Sequence, residues 1–293
     1  MKLGILKPAI RFKLILFLVI MLLFSFCNVE QSIDNNILEI NLSNCSELNF
    51  QSKNPSNNVL EELYIIGHGY GSPSTNTGGI SNKIIKFFKN LESKHELSIA
   101  LTGDFVFESS IDNLESVKIF LENNFSNYFI SPGNHDLYPE PKNYYDVFRL
   151  DFYHKEFNSY LLIAANFSNP NWLPTNEQID NINSLINNTS KGNVVILSHQ
   201  IFWQKNVNFE FKPNSFALLK SELSENSLNW IDNEDKNLIV ISGDYGAFGQ
   251  KTECYHENNR LFIANGIGDH KNDTLIKLSD TNEKLLIEEI KIP

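Results

Sequence analysis

The chain has 293 residues, of which 42% are hydrophobic and 20% are charged, and its formal net charge at pH 7 is −11. This length and composition are typical of a globular protein with a sizeable core and one large domain. The acidic balance argues against a nucleic-acid-binding protein, because such proteins depend on clustered Lys and Arg.

The N-terminal segment has the pattern of a targeting signal. Four basic residues come before an apolar run over residues 14–26, which is too short for a comfortable membrane span and suits a signal-peptide core. The run ends in Leu23-Phe24-Ser25-Phe26-Cys27, which resembles the lipobox of bacterial lipoproteins, with a bulky Phe where a small residue is usual. We expect residues 1–27 to form an export signal and lipid anchor. An uncleaved N-terminal anchor and a plain secretory peptide are the alternatives.

All three interpretations place the rest of the chain outside the cytoplasm, in the periplasm or at the cell surface. Without residues 1–26, 20 basic residues remain against 35 acidic ones, a net charge of −15. Residues 28–58 are rich in Asn, Ser and Gln, which predicts a tether that carries at most one short strand, followed by a domain over 59–293. An oxidising compartment permits a disulfide between Cys45 and Cys254 but does not require one.

Strands and helices alternate from about residue 60 onward. Short apolar runs predict strands at 60–66, 97–101, 128–130, 147–153, 160–165, 193–197, 237–242, 261–264, 274–278 and 284–292, and helical spacing predicts helices at 80–91, 111–123, 175–186 and 215–223. No helix separates the strands at 147–153 and 160–165, so we expect an antiparallel hairpin there. Thr175 and Gln178 have the spacing of a capping box. The order predicts a layered α/β domain with a mixed sheet.

Five of these strands end in polar residues that could bind a metal or transfer a proton. Open α/β sheets bind ligands at this edge, so we expect these side chains to converge. In the block Ser131–Asp136, an amide oxygen can bind a metal, an imidazole can donate a proton, and a carboxylate can orient that imidazole. The residues at the five strand ends are His68; Asp104; Asn134, His135 and Asp136; His199; and Asp244.

This order resembles the calcineurin-like metallophosphoesterase family, which includes the purple acid phosphatases. The family reads GDxH, GDxx(D/Y), GNH(D/E), a strand ending in His, and GHxH. The corresponding segments here are Gly67–Tyr70, the loop after Gly103, Gly133–Asp136, His199 and Gly243–Gly246. The resemblance covers roughly residues 62–270. It implies a four-layer α/β/β/α sandwich with mixed sheets and a dinuclear metal site that hydrolyses phosphate mono- or diesters.

The resemblance implies an intact set of ligands for one of the two metals. That set is Asp104, Asn134, His199 and Asp244, with Asp244 in place of the usual His. We therefore expect one divalent metal ion, with Mn, Fe or Zn as candidates. Two carboxylates, an amide oxygen and an imidazole favour a harder ion such as Mn or Mg, and also suit Zn.

The other metal of the family loses most of its ligands in this sequence. His68 and Tyr70 replace the Asp and His of the first motif, and Gly246 replaces the last His of GHxH. This leaves the shared Asp104, with His68 as a further candidate, and His256 could in principle supply a missing ligand. A mononuclear site follows as the simplest interpretation.

The resemblance also implies roles around that metal. His135, with Asp136 behind it, would protonate the leaving group or stabilise charge on the phosphoryl oxygens. His68 and Tyr70 would contact the substrate, and a cationic His68 would partly replace the missing metal. Aromatic residues of the segment Leu137–Tyr145, together with Phe202 and Trp203, are candidates for pocket walls.

Two functional hypotheses follow. The first is an exported, membrane-anchored phosphoesterase with a reduced, mononuclear site, which the intact ligand set and His135-Asp136 favour. The second is a catalytically inactive relative that binds a protein partner in the cell envelope. The lost ligands favour the second hypothesis, as does Phe107, which stands where the second motif often has Asp or Tyr. A purely structural surface lipoprotein would explain none of the five strand-end clusters.

Overall fold

The computed structural model describes residues 37–41, 59–74, 78–91, 96–150, 152–168, 174–202, 211–214, 235–281 and 284–293. The chain divides into two units, residues 1–35 and Asn36–Pro293, and every described residue belongs to the second. The predicted anchor at 1–27 and the predicted helix at 215–223 lie outside the described residues. The division at residue 58 stays a prediction, although a strand forms at Ile37–Asn41, inside the expected tether.

Strands and helices alternate through the described part of the chain. Its strands are β1 (Ile37–Asn41), β2 (Val59–Gly67), β3 (Leu97–Thr102), β4 (Asn127–Ile130), β5 (Phe152–Glu156), β6 (Tyr160–Ala165), β7 (Asn193–Ser198), β8 (Asn237–Ser242), β9 (Glu253–Glu257), β10 (Arg260–Ala264), β11 (Thr274–Thr281) and β12 (Lys284–Lys291). Its helices are α1 (Asn82–Lys89), α2 (Ile111–Asn124), α3 (Asn134–Leu137), α4 (Pro141–Phe148) and α5 (Asn176–Asn188).

The strands form two mixed six-stranded sheets. The first has the order β1-β12-β11-β2-β3-β4, and the second has the order β5-β6-β7-β8-β10-β9. In the first sheet β2, β3 and β4 run parallel, and in the second β6, β7, β8 and β10 run parallel. The carboxyl ends of the parallel strands therefore meet at one edge of each sheet, where the predicted site residues lie.

Three apolar clusters separate four layers. The cluster between the two sheets joins side chains of both, including Leu63, Ile65, Val195 and Leu197. The alternate residues of the same strands point outward, because successive side chains of a strand face opposite ways. Those of the first sheet pack against α1, α2 and α4, and those of the second against α5. The predicted α/β/β/α sandwich with mixed sheets is confirmed.

Most of the predicted elements are present, and the predicted hairpin of β5 and β6 is antiparallel. The capping box at the start of α5 is also confirmed, because Thr175 and Gln178 bond each other's backbone N–H groups. The predicted strand at 147–153 is wrong in its first half, where Val147 and Phe148 belong to α4. That helix begins at Pro141 and buries a face spaced three and four residues apart, so helical packing overrides the local strand preference. Strand β9 had no counterpart in the prediction.

Two further findings concern a cysteine and the helices. Cys254 is disulfide-bonded, and its partner lies outside the described residues. Among the helices of the described residues, none is long and apolar enough to cross a membrane.

The two sheets approach each other closely at the edge that carries the site. A Cβ on Gly67, at the end of β2, would lie 2.1 Å from the carbonyl oxygen of Asn265 and 2.5 Å from the Cα of Gly243. Both contacts are with backbone, which cannot move aside as a flexible side chain would. A residue without a side chain is therefore required here for the sheets to meet.

We expect Gly67→Ala to lower the free energy of unfolding by about 3 kcal/mol, because overpacking against backbone forces the two sheets apart. The matched control is Gly69→Ala in the same loop, where a Cβ would lie 3.3 Å from that of Phe105 and fits after a small shift. Urea unfolding of both variants measures the difference. Equal midpoints would show that the contact at Gly67 does not constrain the fold.

Candidate active site

The structure brings the predicted residues of five loops together at one edge of the sandwich. Within this group, the carboxylate of Asp104 lies between two imidazoles. Its Oδ1 is 3.4 Å from Nε2 of His199, and its Oδ2 is 3.9 Å from Nε2 of His68. The same Oδ1 accepts a hydrogen bond of 3.0 Å from the backbone N–H of His135. Asp104 is thus the point at which the loops of both sheets meet.

The charge of Asp104 is stabilised by these neighbours. Burial alone would raise the pKa of its carboxyl, but His199, followed by His135 and His68, outweighs burial and keeps the pKa below its ordinary value. The carboxylate is therefore ionised at neutral pH, which is the form that binds a cation.

His199 is fully buried and has one ring nitrogen available for a ligand. Its Nδ1 lies 3.0 Å from the carbonyl oxygen of Thr102 and donates to it, so that Nε2 faces the carboxylates. Besides Asp104, Nε2 lies 3.9 Å from Oδ1 of Asp244. Burial lowers the pKa of His199, but Asp104 and Asp244 together raise it to about 10. A positive charge is favoured here, either as a proton on Nε2 or as a bound cation.

Asn134 adds an amide oxygen to the groups of Asp104, His199 and Asp244. Its buried Oδ1 has no hydrogen-bond partner among the described residues, and the same is true of Nε2 of His199. A buried acceptor without a partner is costly, and in native proteins it points to a missing ligand or water. These two atoms, with the carboxylates of Asp104 and Asp244, fit a divalent cation by their chemistry.

The ionisable residues do not by themselves form a metal site. In the part of the chain that the structure describes, no group of three or more His, Cys, Asp or Glu side chains could hold a metal ion. Asp104, His199 and Asp244 therefore do not hold an ion in the positions that they have here. The three expected ionisable ligands would have to draw closer around a cation.

Asp136 does not orient His135, contrary to the sequence-based expectation. Its fully buried carboxylate accepts four backbone hydrogen bonds, of 2.7 to 3.1 Å, from the N–H groups of Asp104, Phe105, Val106 and Gly133. Burial, followed by the charge of Asp104, acts to raise the pKa of Asp136, and the N–H groups of Gly133 and Val106 oppose that rise by stabilising the carboxylate. Asp136 is a structural anchor for two loops.

His135 is oriented by a backbone carbonyl instead. Its Nδ1 lies 2.6 Å from the carbonyl oxygen of Phe107, which leaves Nε2 as the ring nitrogen for substrate. The imidazole stacks on the ring of Phe107, with a centroid distance of 5.6 Å and an interplanar angle of 28°. Tyr70 meets it edge-on at 5.2 Å. The sequence pattern indicates His135 but not this role of Phe107, which stands out in the sequence only as a departure from the second motif.

His68 and Tyr70 occupy the place of the lost metal ligands. Nδ1 of His68 donates to the carbonyl oxygen of Ile267 at 2.8 Å, and burial lowers the pKa of the ring. Burial therefore favours the neutral form of His68, which argues against the expectation of a cationic ring. Burial, followed by Asp104 and other carboxylates, raises the pKa of Tyr70, so its hydroxyl stays protonated.

The other candidates lie elsewhere. A Cβ on Gly246 would lie 2.1 Å from the carbonyl oxygen of Gly266, so no ligating side chain fits at this position. His256 lies on the edge strand β9 and pairs with Leu261 of β10, which in turn pairs with Ile239 of β8. Ile239 lies three residues, or roughly 10 Å, before the end of β8 at which the site lies. It does not replace the missing ligand.

Of the aromatic residues expected to form pocket walls, two belong to the core. Tyr144 is fully buried, and its hydroxyl donates a hydrogen bond to the carbonyl oxygen of Leu150. Phe202 is also buried and packs against Phe167. Tyr138 is 73% exposed, and Trp203 lies outside the described residues.

We expect Asp136→Asn to lower the free energy of unfolding by about 3 kcal/mol, because its amide N–H₂ would face N–H donors that lose their acceptor. The control is Asp146→Asn, which removes only a surface ion pair with Lys142 and should cost less than about 1 kcal/mol. Urea unfolding checks both variants. An unchanged midpoint for Asp136→Asn would contradict the anchoring role.

Solved structures of several phosphoesterase-fold proteins are similar to this chain. The phosphopantetheinyl hydrolase PptH of Mycobacterium tuberculosis is 11% identical over 72% of this chain and 91% of its own, with a TM-score of 0.47. A 5′-nucleotidase precursor of Thermus thermophilus is 11% identical over 79% of this chain and 54% of its own, with a TM-score of 0.43. A mutant of Vps29 from Entamoeba histolytica is 8% identical over 79% and 99%, with a TM-score of 0.36.

No curated protein matches the chain significantly in sequence. A sequence profile does match it, over residues 68–232, and its description is calcineurin-like phosphoesterase. That range covers more than half of the chain and includes His68, Asp104, Asn134, His135 and His199. The protein belongs to the calcineurin-like phosphoesterase family.

Proposed function

We propose that this protein is a metal-dependent phosphoesterase with a site for one divalent cation. The observation that carries the proposal is a pair of buried polar atoms that have no hydrogen-bond partner among the described residues, Oδ1 of Asn134 and Nε2 of His199. Asp104 and Asp244 lie within 3.4 and 3.9 Å of that Nε2, so two negative charges border the same point. A divalent cation would satisfy the acceptors and offset both charges.

The cation would be held by Asp104, Asn134, His199 and Asp244. Oxygen and imidazole donors of this kind suit Mn, Fe or Zn, and Mg among harder ions. Such an ion, when bound, polarises a phosphoryl oxygen and lowers the pKa of water. His199 suits the role because its Nδ1–H is already committed to the carbonyl of Thr102, which fixes the ring and leaves Nε2 as the ligating atom.

His135 would protonate the leaving group. The contact of its Nδ1 with the carbonyl of Phe107 fixes the ring and leaves Nε2 as the nitrogen through which this half-buried imidazole would exchange a proton with a bound substrate. Its backbone N–H is bonded to Asp104, so proton donor and cation ligand are held at a fixed separation. Tyr70, with a protonated hydroxyl, would donate a hydrogen bond to the substrate beside it.

The second part of the proposal concerns location. We propose that the protein is exported and lipid-anchored at Cys27, in the periplasm or on the cell surface. The disulfide at Cys254 supports export, because structural disulfides form and persist in oxidising compartments. The basic and apolar N-terminal pattern supports the anchor, and the substrate would then be an exported phosphoester.

The proposed cation site predicts that two variants differ in metal content although both lose hydrolysis. His199→Ala should lose both bound metal and phosphoester hydrolysis, because it removes a ligand. His135→Asn should keep about one equivalent of Mn²⁺ and lower kcat by roughly 100-fold or more, because it removes only the proton donor. Elemental analysis of the purified protein, beside hydrolysis of a panel of phosphomonoesters and phosphodiesters, measures both effects.

The wild-type protein decides between the two functional hypotheses. Absence of metal after incubation with excess Mn²⁺ would contradict the cation site and favour an inactive relative that binds an envelope protein. Full activity in either variant would contradict the assigned roles.

The proposed lipid anchor predicts that Cys27 carries an acyl chain. In a bacterial host, wild-type protein should incorporate labelled palmitate, and Cys27→Ala should not, because the thiol is the acceptor. Cys45→Ala is the matched control and should retain the label. Labelling of the Cys27→Ala variant would contradict the lipid anchor and leave a plain export signal or an uncleaved anchor.

A further inference from the structure

Phe107 is an exposed aromatic residue at the edge of a buried, acidic site. Its side chain is 41% exposed, although its ring stacks on His135 at 5.6 Å and meets Tyr70 edge-on at 5.6 Å. Tyr70 in turn lies 4.3 Å from His68, so four rings form a continuous wall on one side of Asp104. Phe107 is the outermost of the four.

Core packing does not explain this position. Phe105, two residues earlier in the same loop, is fully buried and packs against Phe148, and Val106 is also fully buried. These two residues supply the apolar contacts of the loop with the core. Phe107 instead leaves a large part of an apolar ring in water, at a cost of about 25 cal/mol for each Å² that a partner could cover.

The ring is also held in place by the backbone around it. Asp136 accepts the N–H groups of Phe105 and Val106, directly before Phe107, and the carbonyl oxygen of Phe107 is bonded to His135. Two residues later, the N–H of Ser109 donates to the carbonyl of Tyr138 at 3.0 Å. A surface fixed in this way is ready to stack on a flat partner without losing much conformational freedom.

The position relative to His135 indicates what that partner is. A group that protonates a leaving oxygen must come within hydrogen-bond distance of it. Nδ1 of His135 is occupied by the carbonyl of Phe107, so the leaving oxygen would lie at Nε2. The atoms carried by that oxygen would then lie beside the His135 ring, which stacks on Phe107. An aromatic group that reaches Phe107 can stack on it, and an aliphatic or sugar group gains less.

We propose that Phe107 is a specificity-determining residue that favours phosphoesters with a flat, aromatic leaving group. This inference rests on the proposed phosphoesterase function, and on His135 as the residue nearest the leaving oxygen.

Binding of two non-hydrolysable phosphonates tests it. We expect the Mn²⁺-loaded protein to bind phenylphosphonate roughly five- to tenfold more tightly than methylphosphonate in calorimetric titrations. Phe107→Leu keeps an apolar side chain but removes the ring, and should reduce the ratio of the two affinities to less than about twofold. Phe107→Trp should restore the preference.

Phe248→Ala is the matched control, because Phe248 is a more exposed phenylalanine that stacks on no ring among the described residues. It should keep the preference for phenylphosphonate. Equal affinity of the wild-type protein for both phosphonates, or a preference that survives in Phe107→Leu, would overturn the inference while leaving phosphoesterase function intact. Failure to bind either phosphonate would overturn both.

Discussion

One buried carboxylate, that of Asp136, determines where most of the site lies. It accepts the N–H groups of three consecutive residues, 104–106, in the loop after β3 and that of Gly133 in the loop after β4. A carboxylate offers about four acceptor positions, so these donors use its capacity in full. Because the bonds fix main chain rather than side chains, the placement of His135 and Phe107 follows from them. In the segment Gly133–Asp136, the last residue is therefore structural, and the proposed chemistry falls to Asn134 and His135.

The two sheets contribute opposite halves of the site. Asp104 comes from the first sheet, and His199 and Asp244 come from the second, where the backbone N–H of Asp244 donates to the carbonyl of His199 at 2.8 Å. Nδ1 of His199 crosses to the carbonyl of Thr102 on the first sheet. This arrangement brings two buried carboxylates to one imidazole. Such a concentration of negative charge is stable only with a compensating positive charge, which a proton or a metal ion can supply.

The departures from the family pattern are mutually consistent. The position of the last motif histidine is closed by backbone at Gly246, and the first motif places the neutral His68 and the phenol of Tyr70 on the same side of Asp104. The resemblance to the family implies a second cation on this side of Asp104, whereas in this protein uncharged rings line it. The chemistry available on this side is therefore that of stacking and hydrogen bonding, and the proposed cation would lie on the side of His199.

The sequence by itself determined the layered α/β fold and the convergence of the site residues. Strand and helix periodicity, and polar residues such as Asp104 and His199 after buried strands, are local signals that survive in any packing. The tertiary structure alone decided which partners those residues have. Asp136 bonds amides 30 and more residues away, His135 is oriented by a carbonyl of another loop, and Val147 is helical because its neighbours bury a helical face. Every residue carries the same backbone carbonyl, so the sequence does not indicate which backbone group a side chain will bind. Only the folded chain reveals these hydrogen bonds.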